Sequence, residues 1–400
     1  MLLSSWETLF PQVVGILPPP FSTLLLPWSD TGDISAVLRL RFSNTPPEWG
    51  FLKRVYEGNF GKAKEELKHI EDEELRDYTR RVLDFALSGD ITVLKGFEGS
   101  APLKALLQLL IPGEVMGVEL EDRPDLTALS HFMKAKYIRK VDPSEAMRHL
   151  DTSLRYISFE SPVFKANVLL MKANLLYNEK GASYHLIQLY SEILTLLKDT
   201  NATLIKGEVL YQLGNLHFTF GNTDEAVKNF TEALEYFSIE EEPYMYAMIN
   251  NNMGLAYLST QPTGMESQVR LALGVQCLRK ALEVFSKENY PKEWASATLN
   301  YANALVYLPT ADPKKNLLKA LELYKEVLSF REEMDDKEGV ARVLANMGNA
   351  LAHLGIIGEA RKYLERARDI FIGLGLGEEA SGVEEILREI RSVEVSGDGR

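Results

Sequence analysis

A pattern of small residues recurs four times between positions 210 and 371, and it constrains the fold more than any other feature of the sequence. In each copy, one segment carries a glycine or alanine, and a second segment carries small or apolar residues at positions i, i+4 and i+7. The small residues of the first segments are Gly214, Gly254, Ala302 and Gly348. The second segments carry Ala226/Phe230/Ala233, Gly274/Leu278/Ala281, Ala320/Tyr324/Val327 and Ala360/Leu364/Ala367. Residues at this spacing share one face of a helix, and small side chains let two helices approach closely, so the pattern predicts helical hairpins.

The connections between the two helices of a copy differ in length. Twelve residues separate Gly214 from Ala226 and Gly348 from Ala360, and Gly221 and Gly355 are expected to end the first helix in a tight turn with positive φ. Two copies contain additional residues, the segments "STQPTGMESQVR" and "PTADPKKN". Their proline and glycine predict longer turns between the helices.

Two segments match the skeleton of a known repeat family. "LGNLHFTFGNTDEAVKNFTEALEYF" (Leu213 to Phe237) and "MGNALAHLGIIGEARKYLERARDIF" (Met347 to Phe371) resemble the tetratricopeptide repeat, with His217 at a position where an aromatic residue is usual. The resemblance implies an all-α fold, a right-handed superhelical solenoid of antiparallel helix hairpins. The first helix of each hairpin is expected to line the concave surface of this solenoid.

The same pattern divides the chain into five regions. Residues 1–43 are apolar and rich in proline, and they are expected to cap the solenoid, to form a dimer arm or to plug a groove. Upstream of the clear repeats the pattern weakens but continues. The remaining regions are divergent helical repeats at 44–128, the repeat array at 129–376, a C-terminal capping helix at 377–393 and a tail at 394–400.

Composition excludes several classes of function. The net charge is −13 and no basic stripe is present, so no nucleic-acid partner is predicted. The single cysteine, Cys277, excludes an intramolecular disulfide and a multi-cysteine metal site, and its helical spacing predicts a packed thiol. The first 38 residues lack Lys and Arg, and prolines interrupt their apolar stretch. No signal peptide or membrane span is therefore predicted, and the cytoplasm is the expected location.

No catalytic constellation is present, so we expect a protein that is not an enzyme and needs no cofactor or metal. The six histidines are scattered one to a helix and none belongs to an HExxH motif. "GLGLGEEASG" (Gly373 to Gly382) follows a helix rather than a strand, which favours a turn over a phosphate-binding loop. "GNFGK" (Gly58 to Lys62) lacks the glycine spacing and the Ser/Thr of a phosphate-binding loop.

Amide side chains recur beside the small residues of the first helices. The resemblance places these positions on the concave surface, where a carboxamide offers a donor and an acceptor to the main chain of an extended peptide. The alternative is that the amides bond within or between helices. The predicted groove residues are Gln212, Asn215, Asn251, Asn252, Asn300, Asn303, Asn346 and Asn349, with Tyr211, Phe218 and Tyr307 as aromatic edges.

These residues predict a scaffold or adaptor that binds an extended protein or peptide partner. A clamp for a terminal carboxylate is not expected, because Arg342 is the only basic residue among the neighbouring first-helix positions. Homodimerisation through the N-terminal segment is a further possibility. The alternative function is a signal-responsive regulator that acts with a separate DNA-binding or enzymatic partner.

Overall fold

All secondary structure in the described part of the chain is helical. The computed structural model describes residues 50–56, 59–99, 104, 107–108, 111, 124–157, 162–198, 203–259 and 265–397. No β-strand occurs in these ranges, and neighbouring helices pack in pairs, as expected for a solenoid of the predicted type. The N-terminal segment 1–43 lies outside the described residues, so its predicted role as cap, dimer arm or plug stays a prediction.

The chain divides into two compact units, residues 1–216 and 217–400. In the first unit, short 3₁₀ turns follow α2 and α3 at Leu67–His69 and Ile91–Leu94. The helices of this unit are α1 (Gly50–Tyr56), α2 (Phe60–Glu66), α3 (Glu73–Ser88), α4 (Pro124–Ile138), α5 (Pro143–Tyr156), α6 (Pro162–Lys180) and α7 (Tyr184–Leu197). Helix α8 (Thr203–Thr219) runs across the division.

The second unit consists of longer and more regular hairpins. Its helices are α9 (Thr223–Ala233), α10 (Pro243–Leu258), α11 (Met265–Leu282), α12 (Pro291–Tyr307), α13 (Pro313–Glu333), α14 (Lys337–His353), α15 (Ile357–Gly373) and α16 (Gly377–Gly397). Within this unit α10 packs on α11, α12 on α13 and α14 on α15. Helix α16 ends four residues beyond the predicted end of the capping helix, at Gly397 rather than at position 393.

The predicted close helix packing is confirmed at Gly254 and Gly348. A methyl group added at Gly254 would lie 2.8 Å from Cγ of Leu278 and 3.1 Å from the carbonyl oxygen of Gly274. One added at Gly348 would lie 2.6 Å from Cγ of Leu364 and 3.1 Å from the carbonyl oxygen of Ala360. All predicted residues of the second helices are buried. These two hairpins therefore depend on glycine, because a larger residue would collide with the backbone of the partner helix.

The helix ends follow the local sequence. Gly221 and Gly355 adopt φ values of 77° and 78°, which confirms the predicted tight turns. Asp312 and Asp336 accept hydrogen bonds from the backbone N–H groups of Lys315 and Gly339 and so cap α13 and α14.

The additional residues of two copies were predicted to form turns, but part of each segment is helical. Helix α11 already begins at Met265, so the second half of "STQPTGMESQVR" extends this helix; residues 260–264 are outside the described part. Arg270 fixes the extension by pairing with Asp224, and its Nε lies 3.6 Å from Glu266. In "PTADPKKN" the proline at position 313 begins α13, because proline is well suited to the first position of a helix.

Candidate functional site

The predicted groove residues lie on four helices. Helix α8 carries Tyr211, Gln212, Asn215 and Phe218; α10 carries Asn251 and Asn252; α12 carries Asn300, Asn303 and Tyr307; and α14 carries Asn346 and Asn349. In the first unit, Tyr211 is buried, with only 8% of its surface exposed, and Gln212 and Asn215 are half-buried. The other predicted residues all belong to the second unit.

A chain of amide groups connects α10 with α12. The Nδ2 of Asn300 donates to the Oδ1 of Asn251 at 3.3 Å, and the Nδ2 of Asn251 donates to the Oδ1 of Asn252 at 3.0 Å. The Oδ1 of Asn300 accepts no hydrogen bond from the described residues. This oxygen is therefore available as an acceptor.

Asn303 lies one helical turn after Asn300, and its amide is held so that it offers a donor where Asn300 offers an acceptor. Its Oδ1 accepts a hydrogen bond of 2.7 Å from the hydroxyl of Tyr324 on α13. Tyr324 is buried, and burial raises the pKa of its hydroxyl, which keeps this group protonated as a donor. With its oxygen occupied, Asn303 presents an NH2 group that makes no hydrogen bond to the described residues.

The aromatic edge at the end of α12 is connected to α14. The Nδ2 of Asn349 donates to the hydroxyl of Tyr307 at 3.0 Å, and the Tyr307 ring packs edge-on against His353 with ring centres 5.9 Å apart. Tyr307 is 60% exposed. The side chain of Asn346 forms no hydrogen bond with a described residue.

A cavity of about 770 Å³ lies beside these groups, and all of its lining residues belong to the second unit. Four predicted residues line it, Phe218, Asn300, Asn303 and Tyr307. The other lining residues were not predicted from the sequence and come mainly from the end of α10 and the beginning of α11: Leu255, Tyr257, Leu258, Ser259, Ser267, Gln268, Leu271, Ala304 and Pro309. The helical extension of α11 supplies two of them, Ser267 and Gln268, and Leu271 follows directly.

The cavity is uncharged and mostly apolar. None of its lining residues is Asp, Glu, Lys or Arg. Arg342, the basic residue considered for a carboxylate clamp, donates to Glu338 at 2.8 Å and to Glu379 at 3.2 Å. The charge of Arg342 is thus compensated by two carboxylates. The cavity itself suits an apolar side chain next to a neutral amide group.

Asn250 differs from its two neighbours. It is completely buried, and its Nδ2 donates to the carbonyl oxygen of Tyr246 at 2.8 Å within α10. Asn250 therefore belongs to the interior of α10 and is not available to a ligand.

The histidines are less isolated than the sequence suggested. The Nδ1 atoms of His131 and His149, on α4 and α5, lie 2.7 Å apart, and Nε2 of His149 lies 3.6 Å from Glu145. Burial lowers the pKa of His149, against the opposing effect of Glu145. Within the described residues, no three His, Cys, Asp or Glu side chains are grouped so as to hold a metal ion.

No helix in the described part of the chain has both the length and the apolar character needed to cross a lipid bilayer. Cys277 is buried, as predicted, and burial raises the pKa of its thiol to about 11.

Comparisons with known proteins agree with the repeat pattern. A family model of the tetratricopeptide repeat matches residues 207–238. None of the curated proteins matches the chain significantly.

Several solved structures are similar in fold. A signal transduction ATPase with numerous domains that has a tetratricopeptide repeat sensor, from Pyrococcus horikoshii, has a TM-score of 0.54 and 12% identity, and the match covers 87% of this chain and 52% of that one. This chain thus spans about half the length of that protein. A Rap protein crystallised with competence and sporulation factor has a TM-score of 0.43 and 16% identity over 91% of this chain and 99% of that one. Aspartyl phosphate phosphatase F from Bacillus subtilis has a TM-score of 0.44 and 14% identity, with coverages of 91% and 95%.

Proposed function

Because this chain is a tetratricopeptide-repeat protein, we propose that its second unit binds an extended segment of a partner protein along α10 and α12. Repeat proteins of this kind serve in protein interaction and regulation. The observation that carries the proposal is a pair of amides on one face of α12. Asn300 offers an acceptor and Asn303 offers a donor, one helical turn apart, both at the cavity wall.

This pair matches the hydrogen-bonding groups of a peptide main chain. An extended segment presents N–H and C=O groups that do not depend on its sequence, so the Oδ1 of Asn300 would accept from an N–H and the Nδ2 of Asn303 would donate to a C=O. Each hydrogen bond of this kind contributes about 0.5–1.5 kcal/mol.

The cavity would supply the sequence preference. Its volume of about 770 Å³ lies within the range of ligand-binding clefts, and its apolar wall suits one or two large apolar side chains of the partner. Burial of one such side chain contributes about 1.5–3 kcal/mol, which exceeds the contribution of a single main-chain hydrogen bond. The preferred segment is therefore extended, uncharged at its centre and apolar at one position.

Selection of peptides from a random display library on the purified full chain tests this proposal. We expect the selected peptides to share a central apolar residue. Replacement of Asn300 and Asn303 by Ala should weaken their binding in calorimetry by about tenfold or more. The matched control is Asn229→Ala, which removes an amide from α9 that bonds to its own helix at Glu225. The proposal would be contradicted if the selected peptides bound the variant with Asn300→Ala and Asn303→Ala as tightly as the native chain.

A regulatory role with a separate DNA-binding or enzymatic partner is the second candidate. It is favoured by the similarity in fold between this chain and the signal transduction ATPase that has a tetratricopeptide repeat sensor, with a TM-score of 0.54. The two candidates differ in a measurable way. In a scaffold the partner itself occupies the amide site, so the variant with Asn300→Ala and Asn303→Ala should lose the co-purifying partner without any added peptide. In a regulator the same variant should keep its partner and lose only the gain or release of that partner on addition of a selected peptide.

The other expectations remain proposals. We propose a binding protein rather than an enzyme, and a cytoplasmic location, with no nucleic-acid or membrane partner. Homodimerisation through residues 1–43 is testable by comparing the mass in solution of the full chain with that of a chain lacking this segment.

A further inference from the structure

A second cavity, of about 420 Å³, lies in the first unit and is independent of the amide site. It lies between α4, α6 and α8, which are the first helices of three successive hairpins. Unlike the first cavity it is lined by charged residues of both signs. Lys136, Arg139 and Lys140 contribute positive charge from the end of α4, and Glu208 contributes negative charge from α8.

The positive side of the cavity is only partly compensated by the protein. The Nη1 of Arg139 donates to the carbonyl oxygen of Lys136 at 2.8 Å. The ammonium group of Lys136 is half-buried and forms no ion pair with a described residue. Burial, together with the neighbouring charge of Arg139, lowers the pKa of Lys136 to about 8. The protein thus holds a partly desolvated cation next to a second cation.

The negative charge of the cavity, that of Glu208, is likewise not compensated by the described residues. The carboxylate of Glu208 is half-buried and has no hydrogen bond or ion pair to a described residue, and burial raises its pKa. Lys136 and Glu208 line the same cavity but are not within ion-pair distance of each other. Two partly desolvated charges of opposite sign therefore face a common space, and neither compensates the other.

We propose that this cavity binds a small zwitterion, an amino acid or a short peptide with an apolar side chain. Its carboxylate would lie against Lys136 and Arg139, and its ammonium group would lie against Glu208. The Oδ1 of Asn174 accepts a hydrogen bond of 3.4 Å from the hydroxyl of Tyr190, which leaves the NH2 of Asn174 as a further donor to the carboxylate.

Charge and size both select this class of ligand. A ligand that carries only one charge compensates one wall and leaves the other charge partly desolvated, so it should bind more weakly than a zwitterion. The volume of about 420 Å³ is at the small end of ligand sites, and Leu170 and Met171 form an apolar part of the wall.

Binding of leucine derivatives to the full chain tests the proposal by calorimetry at millimolar concentrations. The probes are L-leucine and L-leucyl-L-leucine as zwitterions, N-acetyl-L-leucine as the anion and L-leucinamide as the cation. We expect at least one zwitterion to bind about tenfold more tightly than both singly charged probes. The comparison of leucine with the dipeptide distinguishes a free amino acid from a short peptide as the ligand.

Two variants test which residue of the cavity binds each charged group of the ligand. Lys136→Gln should remove the preference for the zwitterion over L-leucinamide, and Glu208→Gln should remove the preference over N-acetyl-L-leucine. Lys134→Gln is the matched control, because this lysine lies on α4 but does not line the cavity. The proposal is overturned if neither zwitterion is preferred by the native chain, or if the preference persists in both variants. It is also overturned if the control has the same effect as Lys136→Gln.

Discussion

The hydroxyl of Tyr324 donates a hydrogen bond of 2.7 Å to the side-chain oxygen of Asn303, and this contact fixes which end of the amide reaches the cavity. The first unit contains a related arrangement, in which the hydroxyl of Tyr190 donates to Asn174 at 3.4 Å. In both cases the asparagine directly follows a small, buried residue of the first helix, and the tyrosine lies on the second helix. A side chain within the hairpin thus orients a polar group on its surface.

Removal of the tyrosine hydroxyl is predicted to weaken partner binding more than it weakens the fold. In Tyr324→Phe the ring stays packed but the amide of Asn303 is free to rotate, so we expect severalfold weaker binding of the selected peptides. The free energy of unfolding should fall by only about 0.5–1.5 kcal/mol, since one hydrogen bond is lost. Calorimetry and urea unfolding measure the two effects.

Tyr190→Phe is the control for this prediction, because it removes the corresponding hydroxyl in the first unit. It should leave peptide binding unchanged. Equal losses of affinity in the two variants would show that the hydroxyl does not act through Asn303.

Small residues at the helix contacts are predicted to be essential for stability. Gly254→Ala and Gly348→Ala would place a methyl group 3.1 Å from a carbonyl oxygen of the partner helix, and backbone cannot move aside as a side chain can. We expect losses of about 1–3 kcal/mol in the free energy of unfolding. In Gly382→Ala no atom lies within 4 Å of the new methyl group. This exposed helical position should gain about 0.5–1 kcal/mol. Chemical denaturation of the three variants measures these changes. Only Gly254→Ala and Gly348→Ala should lower the free energy of unfolding.

The repeat was predictable from sequence because its signal is steric and local. Gly254 and Gly348 are small because each lies against the partner helix of its hairpin, and on the second helices the apolar residues recur at i+4 and i+7, as Tyr324 does one helical turn after Ala320. The helical hairpins follow from this pattern, and the helix face that carries the amides follows from the resemblance to the tetratricopeptide repeat. Four lining residues of the cavity were found in this way.

The rest of the site depends on contacts that periodicity does not specify. The orientation of Asn303 is set by a residue 21 positions away. The wall at Gln268 and Leu271 exists because α11 continues towards its N-terminus as far as Met265, although the preceding proline and glycine suggested a turn. Sequence spacing likewise could not show that His131 contacts a histidine on the next helix.

Asp336 is predicted to stabilise the second unit in a pH-dependent way. It caps α14 and pairs with Arg331. Burial raises the pKa of Asp336, but the hydrogen bond from Gly339 and the guanidinium of Arg331 outweigh burial and leave the pKa lower than usual. A lowered folded-state pKa means that this contribution is present above the unfolded pKa, about 3.9, and is lost as the pH falls through the folded value.

Two substitutions separate the cap of α14 from the charge of Asp336. Asp336→Ala should cost about 1 kcal/mol through the cap, and the charge adds to this loss at neutral pH. Asp336→Asn retains a capping side chain and should lose only the part that depends on pH. Urea unfolding between neutral pH and pH 3 should therefore show the native chain and Asp336→Asn converging at low pH. A constant difference between them would contradict the assignment.

The thiol of Cys277 is predicted to be unreactive in the folded chain. The side chain is 6% exposed, and burial raises its pKa to about 11. Because only the thiolate reacts with disulfide reagents, about one thiol in a thousand is reactive at pH 8, and access is restricted as well. Labelling by a chromogenic disulfide should be at least a hundred times slower, as an order-of-magnitude expectation, than in the same chain unfolded in urea. Similar rates in both states would show that α11 opens readily at Cys277, in conflict with its packing against α10.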